Sequence, residues 1–241
     1  TEDLQNRLFD EMVSRIKKND RTVPYLMNGY YYYSRYEKGK EYAIYCRKKG
    51  SLDSNEEIIL DANELSKGHD YFSLGWRVIS PNNEWLAYTI DTVGRTMYSL
   101  YFKNLVTQKT LNYAIHNVES NIAWANDNKT IFYGRKDPQT LRPFQIYAHQ
   151  IGTDQSKDIL IFEEEDETFS CYAYKSKTND YIIINSSSTL SDEYRLIPAN
   201  SPYQTPKVFQ KRIRGLEYSI FHQNNQFYVV TNQDHPNFSI K

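Results

Sequence analysis

Leu4, Leu8, Met12 and Ile16 recur every fourth residue with Phe9 and Val13 beside them, which draws an apolar stripe along one side of a helix. Residues 1–20 therefore read as one α-helix, with Thr1 in capping position and Lys17 and Lys18 suited to the negative end of the helix dipole. Asn19 and Asp20, followed by Pro24, stop it, because the residue before a proline avoids helical backbone angles. No hydrophobic staple precedes Thr1, which fits a chain that starts partway through a longer helical region. The helix carries no chemistry and reads as a packing element. Residues 21–27 read as a linker, with Arg21, Thr22, Val23 and Pro24 as its hinge.

From residue 28 onward the pattern changes to short aromatic or β-branched runs separated by polar pairs suited to tight turns. The pairs Asn82-Asn83, Asp127-Asn128, Asn179-Asp180 and Asn224-Asn225 are spaced 45, 52 and 45 residues apart. A strand precedes each pair (76–80, 121–125, 169–174, 216–222) and another follows (85–89, 130–134, 181–185, 227–231). A third strand is expected at 98–102, 144–148 and 193–197, and a weaker fourth near 110–111, 159–162 and 208–209. An earlier unit offers strands at 30–34, 42–47 and 57–60. Four antiparallel strands per repeat is the make-up of a β-propeller blade. The expected fold is all-β, a partial propeller of four blades plus part of a fifth after one helix. The blades fall near 28–74, 75–118, 119–167, 168–214 and 215–241, the last incomplete. An incomplete ring leaves strand edges and sheet faces open, so pairing with another copy, or aggregation, is expected of the piece alone.

Composition agrees with strands and removes several function classes. Tyr occurs 22 times and Gly only 9 times in 241 residues, which favours strands and leaves little material for phosphate-binding loops. The 29 Lys and Arg nearly balance 30 Asp and Glu, for a net charge of −1, so no global field attracts nucleic acid or an anionic membrane. No run approaches the roughly 20 apolar residues of a membrane-spanning helix, and residues 1–10 show no export-signal pattern. Cys46 and Cys171 stand apart without CxxC or CxH spacing, which argues against a disulfide framework or zinc site and fits a reducing cytoplasm.

An ordered set of words runs through the chain: Val23-Pro24-Tyr25, the tract 31–35, EYAIYCRKKG at 41–50, Ser51-Leu52-Asp53, and the tract 78–81. Trp124-Ala125-Asn126-Asp127, Arg135-Lys136, Pro138, Thr140-Leu141, Pro143 and His149-Gln150-Ile151-Gly152-Thr153 continue it. The acidic tract 162–166, Phe227-Tyr228, Asn232 and Asn237-Phe238 complete it. In order and spacing this resembles the propeller of the oligopeptidase B (protease II) branch of the prolyl oligopeptidase family of serine peptidases. The resemblance implies a seven-bladed propeller joined to a C-terminal α/β-hydrolase domain with a Ser, Asp and His triad. It also implies short peptides cut after Arg or Lys as substrates, with the propeller restricting access. That nucleophile lies in a GxSxG elbow. No GxSxG occurs in these 241 residues, so no catalytic residue is assigned here and none of the family's triad is carried over.

Candidate chemistry within the chain is sparse. His69, Asp70 and Ser73 hold the residue types of a triad, but neighbours on a strand point to opposite faces, and loop hydrogen bonding is the expectation. His116, His149, His222 and His235 are single, with no HxxxH or HxH pair, so neither metal nor cofactor is expected; His149 reads as structural. Glu163, Glu164, Glu165 and Asp166, followed by Glu167, read either as a solvated connection or as an electrostatic gate that concentrates cationic peptides. Arg47-Lys48-Lys49 and Lys211-Arg212 with Arg214 read as surface or interdomain charges. The run 30–33 of tyrosines reads as half core and half surface, Trp76, Trp85 and Trp124 as packing between blades, and both cysteines as buried thiols. Two other classes stay open. A free-standing propeller that binds protein partners lacks here the Gly-His and Trp-Asp repeat signatures. A sugar-active propeller requires carboxylates such as Asp53, Asp91 or Glu119 to converge on a cleft.

Overall fold

Left-handed asparagines close the hairpins of the computed structural model, which describes residues 1–241. Asn83, Asn128 and Asn179 have φ of 63°, 59° and 64°, and Asn224 and Asn225 have 51° and 59°. Asparagine tolerates this region better than other residues with a Cβ, so these polar pairs fix where each strand reverses. Asn28-Gly29, at φ 47° and 78°, makes a further turn of this kind that the spacing argument did not include.

Two compact units divide the chain at His69 and Asp70. The first holds helix α1 (Glu2–Arg15), then strands β1 (Tyr25–Met27), β2 (Tyr30–Arg35), β3 (Ile44–Lys49) and β4 (Glu56–Asp61), and a one-turn helix α2 (Ala62–Leu65). The four strands form one antiparallel sheet in sequence order. Helix α1 is shorter than its apolar stripe predicts: Ile16 is already extended, no side chain of α1 is buried, and the Thr1 side chain makes no cap bond. The reason lies just downstream. Lys38 N–H donates to Asn19 Oδ1 at 2.9 Å, Tyr36 N–H to the Asp20 carbonyl at 2.8 Å, and Thr22 N–H to the Ser34 carbonyl at 2.9 Å. These bonds need an extended chain, so the helix ends before them. Tyr32 and Tyr33 are buried while Tyr30 and Tyr31 are half-buried, so burial deepens along this run of β2 on both faces instead of alternating between them as expected.

The second unit holds β5 (Ser73–Ile79), β6 (Trp85–Asp91), β7 (Tyr98–Asn104), β8 (Ile115–Trp124), β9 (Thr130–Lys136), β10 (Pro143–Gln150) and β11 (Ile159–Glu163) in one antiparallel sheet. A second sheet is β12 (Ser170–Lys175), β13 (Tyr181–Ser187), β14 (Asp192–Pro198) and β15 (Lys207–Gln210); a third is β16 (Tyr218–Gln223), β17 (Gln226–Thr231) and β18 (Ser239–Ile240). The seven-stranded sheet joins two predicted blades. Strand β8 is long enough for its first residues to pair with β7 and its last with β9, across a register shift between Val118 and Ile122. The strand expected at 110–111 is reduced to one bridge between Lys103 and Thr110.

Consecutive residues of the central strands enter different cores. On β13, Ile182 and Ile184 pack with Cys171, Ala173, Ala123, Phe132 and Ile146, whereas Ile183 packs with Tyr194, Leu216, Tyr218 and Ile220. On β9, Phe132 joins the first of these clusters, while Ile131 and Tyr133 join Ala87, Leu100, Phe102 and Trp124. Each of these sheets is therefore buried on both faces and stacks sideways between its neighbours, as propeller blades do. A two-layer sandwich would leave one face of each sheet to solvent. Trp124 is buried and Trp85 half-buried, but Trp76 departs from the expected packing role: it is 55% exposed, where the ladder between β5 and β6 shifts register.

This packing predicts that Ile183→Ala and Ile184→Ala each cost about 2–5 kcal/mol, since both side chains are sealed and neither site collapses freely. Urea unfolding of the two variants checks it. A loss below about 0.5 kcal/mol for either one would mean that its face is not a blade seam.

Candidate functional site

The residues that offered chemistry are consumed in structure. His69 and Asp70 are exposed at the boundary of the two units, and Ser73 lies in β5. His149 is fully buried in β10, with Nδ1 2.6 Å from Asp158 Oδ1 and Nε2 3.1 Å from the Tyr113 hydroxyl. Tyr133 donates to Asp158 Oδ2 at 2.8 Å, Gly152 N–H donates to Tyr113 at 2.7 Å, and the Phe102 ring lies against the imidazole. This acid, imidazole and phenol set is closed to solvent and ties β9 and β10 to the loops that flank them. His222 is likewise held, 2.7 Å from the Thr178 hydroxyl and 3.2 Å from Asp180. His116 binds the Ser99 hydroxyl at 2.9 Å, and His235 is exposed. No three His, Cys, Asp or Glu side chains gather as metal ligands. No helix is long and apolar enough to cross a membrane.

The two thiols and the candidate sugar-acting carboxylates are equally engaged. Burial, with Glu56 and Glu164 nearby, pushes Cys46 and Cys171 each up to about 12, so neither is a nucleophile near neutrality. Asp91 accepts the N–H groups of Val93, Gly94 and Thr96 at 2.8, 3.0 and 2.7 Å. Glu119 is paired with the buried Lys136 at 2.6 Å, and Lys136 also donates to the Thr96 carbonyl at 2.9 Å. Asp91, Glu119 and Lys136 thus close the turn after β6 onto β8 and β9. Asp53 is exposed in the other unit.

The acidic tract divides into inward and outward members. Glu164 is 4% exposed and turns inward, its Oε2 2.6 Å from Arg212 Nη2. The Arg212 guanidinium lies 3.5 Å over the Phe169 ring and 3.4 Å from Asp166, which also caps Thr168. Arg142 donates to the Phe169 carbonyl at 2.6 Å and to the Glu164 carbonyl at 3.1 Å. Arg195 lies over Phe162 and pairs with Glu193 at 2.5 Å. Burial alone pushes the Glu164 carboxyl up, but Arg212 and the Asp166 N–H more than offset it and hold the group below the usual carboxylate range. Asp166 is lowered by its bonds to Thr168 and the nearby arginines. Glu163, Glu165 and Glu167 remain exposed, Glu163 accepting from Gln145 Nε2 at 2.7 Å. These outward carboxylates, with the half-exposed Asp166, present charge to solvent, and Glu164 does not.

Other bonds fasten one predicted blade to the next at the hairpin turns. Asn82 N–H donates to Asn128 Oδ1 at 2.8 Å, and Asn126 Nδ2 donates to the Asn179 carbonyl at 2.9 Å and to Asn200 at 2.8 Å. The Trp124 indole N–H reaches the Val78 carbonyl at 3.2 Å. The stretch read as a hinge is bonded at its start. Arg21 bridges Arg35, and Ser34 N–H donates to Thr22 Oγ1 at 2.9 Å, so these two residues are strapped to β2. Val23 is exposed and Pro24 half-buried.

Arg212→Ala should cost about 3–5 kcal/mol, because it leaves the buried Glu164 charge unpaired, whereas Glu163→Gln should change stability by less than about 0.5 kcal/mol. The folded-state pKa of Glu164 is depressed, so its contribution is complete above the unfolded carboxylate value and is lost as pH falls through the folded one. Glu164→Gln should therefore flatten the acid limb of the stability profile, read by urea unfolding between pH 3 and 7. An unchanged acid limb would contradict the ion pair.

Comparison with known proteins agrees with the blade packing. The family described as "Prolyl oligopeptidase, N-terminal beta-propeller domain" matches residues 1–241. Dipeptidyl aminopeptidase BI of Pseudoxanthomonas mexicana is 38% identical across 96% of this chain and 34% of its own length. Protease 2 of Moraxella lacunata is 32% identical across 97% of this chain and 35% of its own. Oligopeptidase B from Leishmania major superposes with a TM-score of 0.92 at 27% identity, covering 99% of this chain and 34% of that one. Oligopeptidase B from Trypanosoma brucei, in a closed form with covalently bound antipain, gives a TM-score of 0.90 at 26% identity, with the same coverage. The chain spans about a third of the length of these relatives. It belongs to the prolyl oligopeptidase family, as the N-terminal β-propeller portion of an oligopeptidase B-like member.

Proposed function

We propose that the chain is the access-controlling part of a serine peptidase that cleaves short peptides after Arg or Lys, with the bond-breaking groups in an α/β-hydrolase domain of the full-length protein. The observation that carries this reading is the match of residues 1–241 to the propeller portion of a peptidase family, in a chain whose buried His and Asp or Glu groups are all engaged in structure. The propeller acts by restriction. Stiff blades admit a thin, flexible peptide and turn away a folded protein, which raises selectivity without lowering the chemical barrier. The outward Glu163, Glu165 and Glu167 add a negative surface that draws cationic peptides. Two buried, unpaired cysteines suit a cytoplasmic protein.

Reversing Glu163 and Glu165 to lysine in the full-length protein should lower kcat/KM for an Arg-containing peptide and flatten its dependence on salt. The same salt slope in the variant would remove the electrostatic part of the reading. The 241-residue chain alone should leave such a peptide uncut, and turnover by it would reassign the chemistry to these residues.

A further inference from the structure

Strand β5 lies at the edge of the seven-stranded sheet, and its ladder with β6 runs from Leu74 opposite Ile90 directly to Arg77 opposite Tyr88. Gly75 and Trp76 together face the single residue Thr89, a β-bulge. A Cβ on residue 75 would lie 2.4 Å from Thr89 Oγ1 and 2.9 Å from the Tyr98 ring, so only glycine fits there. Gly75 is pressed against the sheet and the indole of Trp76 stands out, 55% exposed. The Thr89 hydroxyl lies between the Ser120 carbonyl at 3.3 Å and the Trp76 carbonyl at 3.4 Å, under the bulge.

This exposure differs in origin from that of other large apolar groups. Phe221 is 57% exposed because β16 alternates strictly between buried and exposed positions. Trp76 is exposed because a bulge and an obligatory glycine turn it out of the ladder. Several aromatic faces of the second unit are taken by the protein's own arginines: Arg212 over Phe169, Arg195 over Phe162, Arg142 over Phe144 and Arg135 over Tyr147. The widest aromatic face, with the strongest affinity for a guanidinium, is left without one.

We propose that Trp76 is a contact residue for the peptide substrate, its indole face receiving an arginine side chain of an extended peptide that passes the first strand of this blade. In a propeller the first strand of each blade borders the central channel, which places the indole beside the route of entry. The proposal rests on the peptidase reading and adds a residue that selects among peptides. The contact lies away from the scissile bond and forms equally in ground and transition states, so it lowers KM and leaves kcat alone.

The test uses the full-length protein and two peptides identical except that an arginine distant from the cleaved bond is replaced by citrulline. Trp76→Ala should raise KM for the arginine peptide by about two- to tenfold with kcat unchanged, and should leave the citrulline peptide nearly unaffected. Trp76→Phe should restore part of the loss. Equilibrium binding of both peptides to the same variants, by titration calorimetry, reads the contact without turnover. Equal shifts for the two peptides, or none, would overturn the proposal. Arginine-selective binding that depends on Trp76 in a protein that cuts neither peptide would uphold the contact and overturn the peptidase reading. Failure of the unaltered protein to bind either peptide would overturn both.

Discussion

Burial of both faces of each sheet is the constraint on which the rest of the second unit depends. A strand with one buried face alternates apolar and polar residues, but the runs 181–184 on β13 and 130–133 on β9 are apolar or small at nearly every position. Such a run is stable only if a second sheet covers the face that a two-layer fold would leave wet. The stacked clusters around Ile184, Ile183 and Tyr133 supply that cover. Small residues such as Ala123, Ala125, Ala173 and Ala199 let the sheets approach closely, while the isoleucines and Phe132 fill the space between.

Charges placed at the seams make that stacking specific. Glu164 with Arg212 ties the end of β11 to the segment after β15, 48 residues on, and Glu119 with Lys136 pins β8 to β9 within one sheet; both pairs are largely withdrawn from water. An ion pair of this kind adds little net stability over an apolar contact, but breaking it strands a buried charge. Sheets that slid past one another at the Glu164 seam, or strands β8 and β9 paired in another register, would incur that cost, whereas apolar faces alone tolerate many registers. The asparagine bonds between successive hairpin turns act in the same direction at the other end of the strands.

How much of this was legible in the sequence follows from the range of the interactions. Hairpins depend on local chemistry, and the Asn pairs marked four turns correctly because an asparagine can adopt a positive φ unaided. Asn28-Gly29 carries the same signal and stood outside the spacing argument only because no strand had been assigned before it. The helix was drawn too long because its stripe is local, whereas the bonds that end it come from Ser34, Tyr36 and Lys38. Arg212 was read as a surface charge, since nothing in its own neighbourhood announces a buried carboxylate 48 residues earlier. Trp76 was placed in a seam because a regular strand would put it there. The signal that it is not lies in the preceding Gly75, scarce in a chain with only 9 glycines and out of place within a strand.

On the proposed access-controlling role, the propeller selects by shape and by what it leaves exposed, and both requirements bear on stiffness. If the seams of the second unit opened gradually, partial separation would expose the apolar clusters and unpair Glu164 at once, so intermediate openings are the least favourable states. Such a unit moves as a whole or hardly at all, and a passage bounded by it keeps one width. The exposed groups then meet a peptide at fixed positions. If Trp76 receives a peptide side chain as proposed, a bulge fixed by an obligatory glycine is a better mount for its indole than a mobile loop.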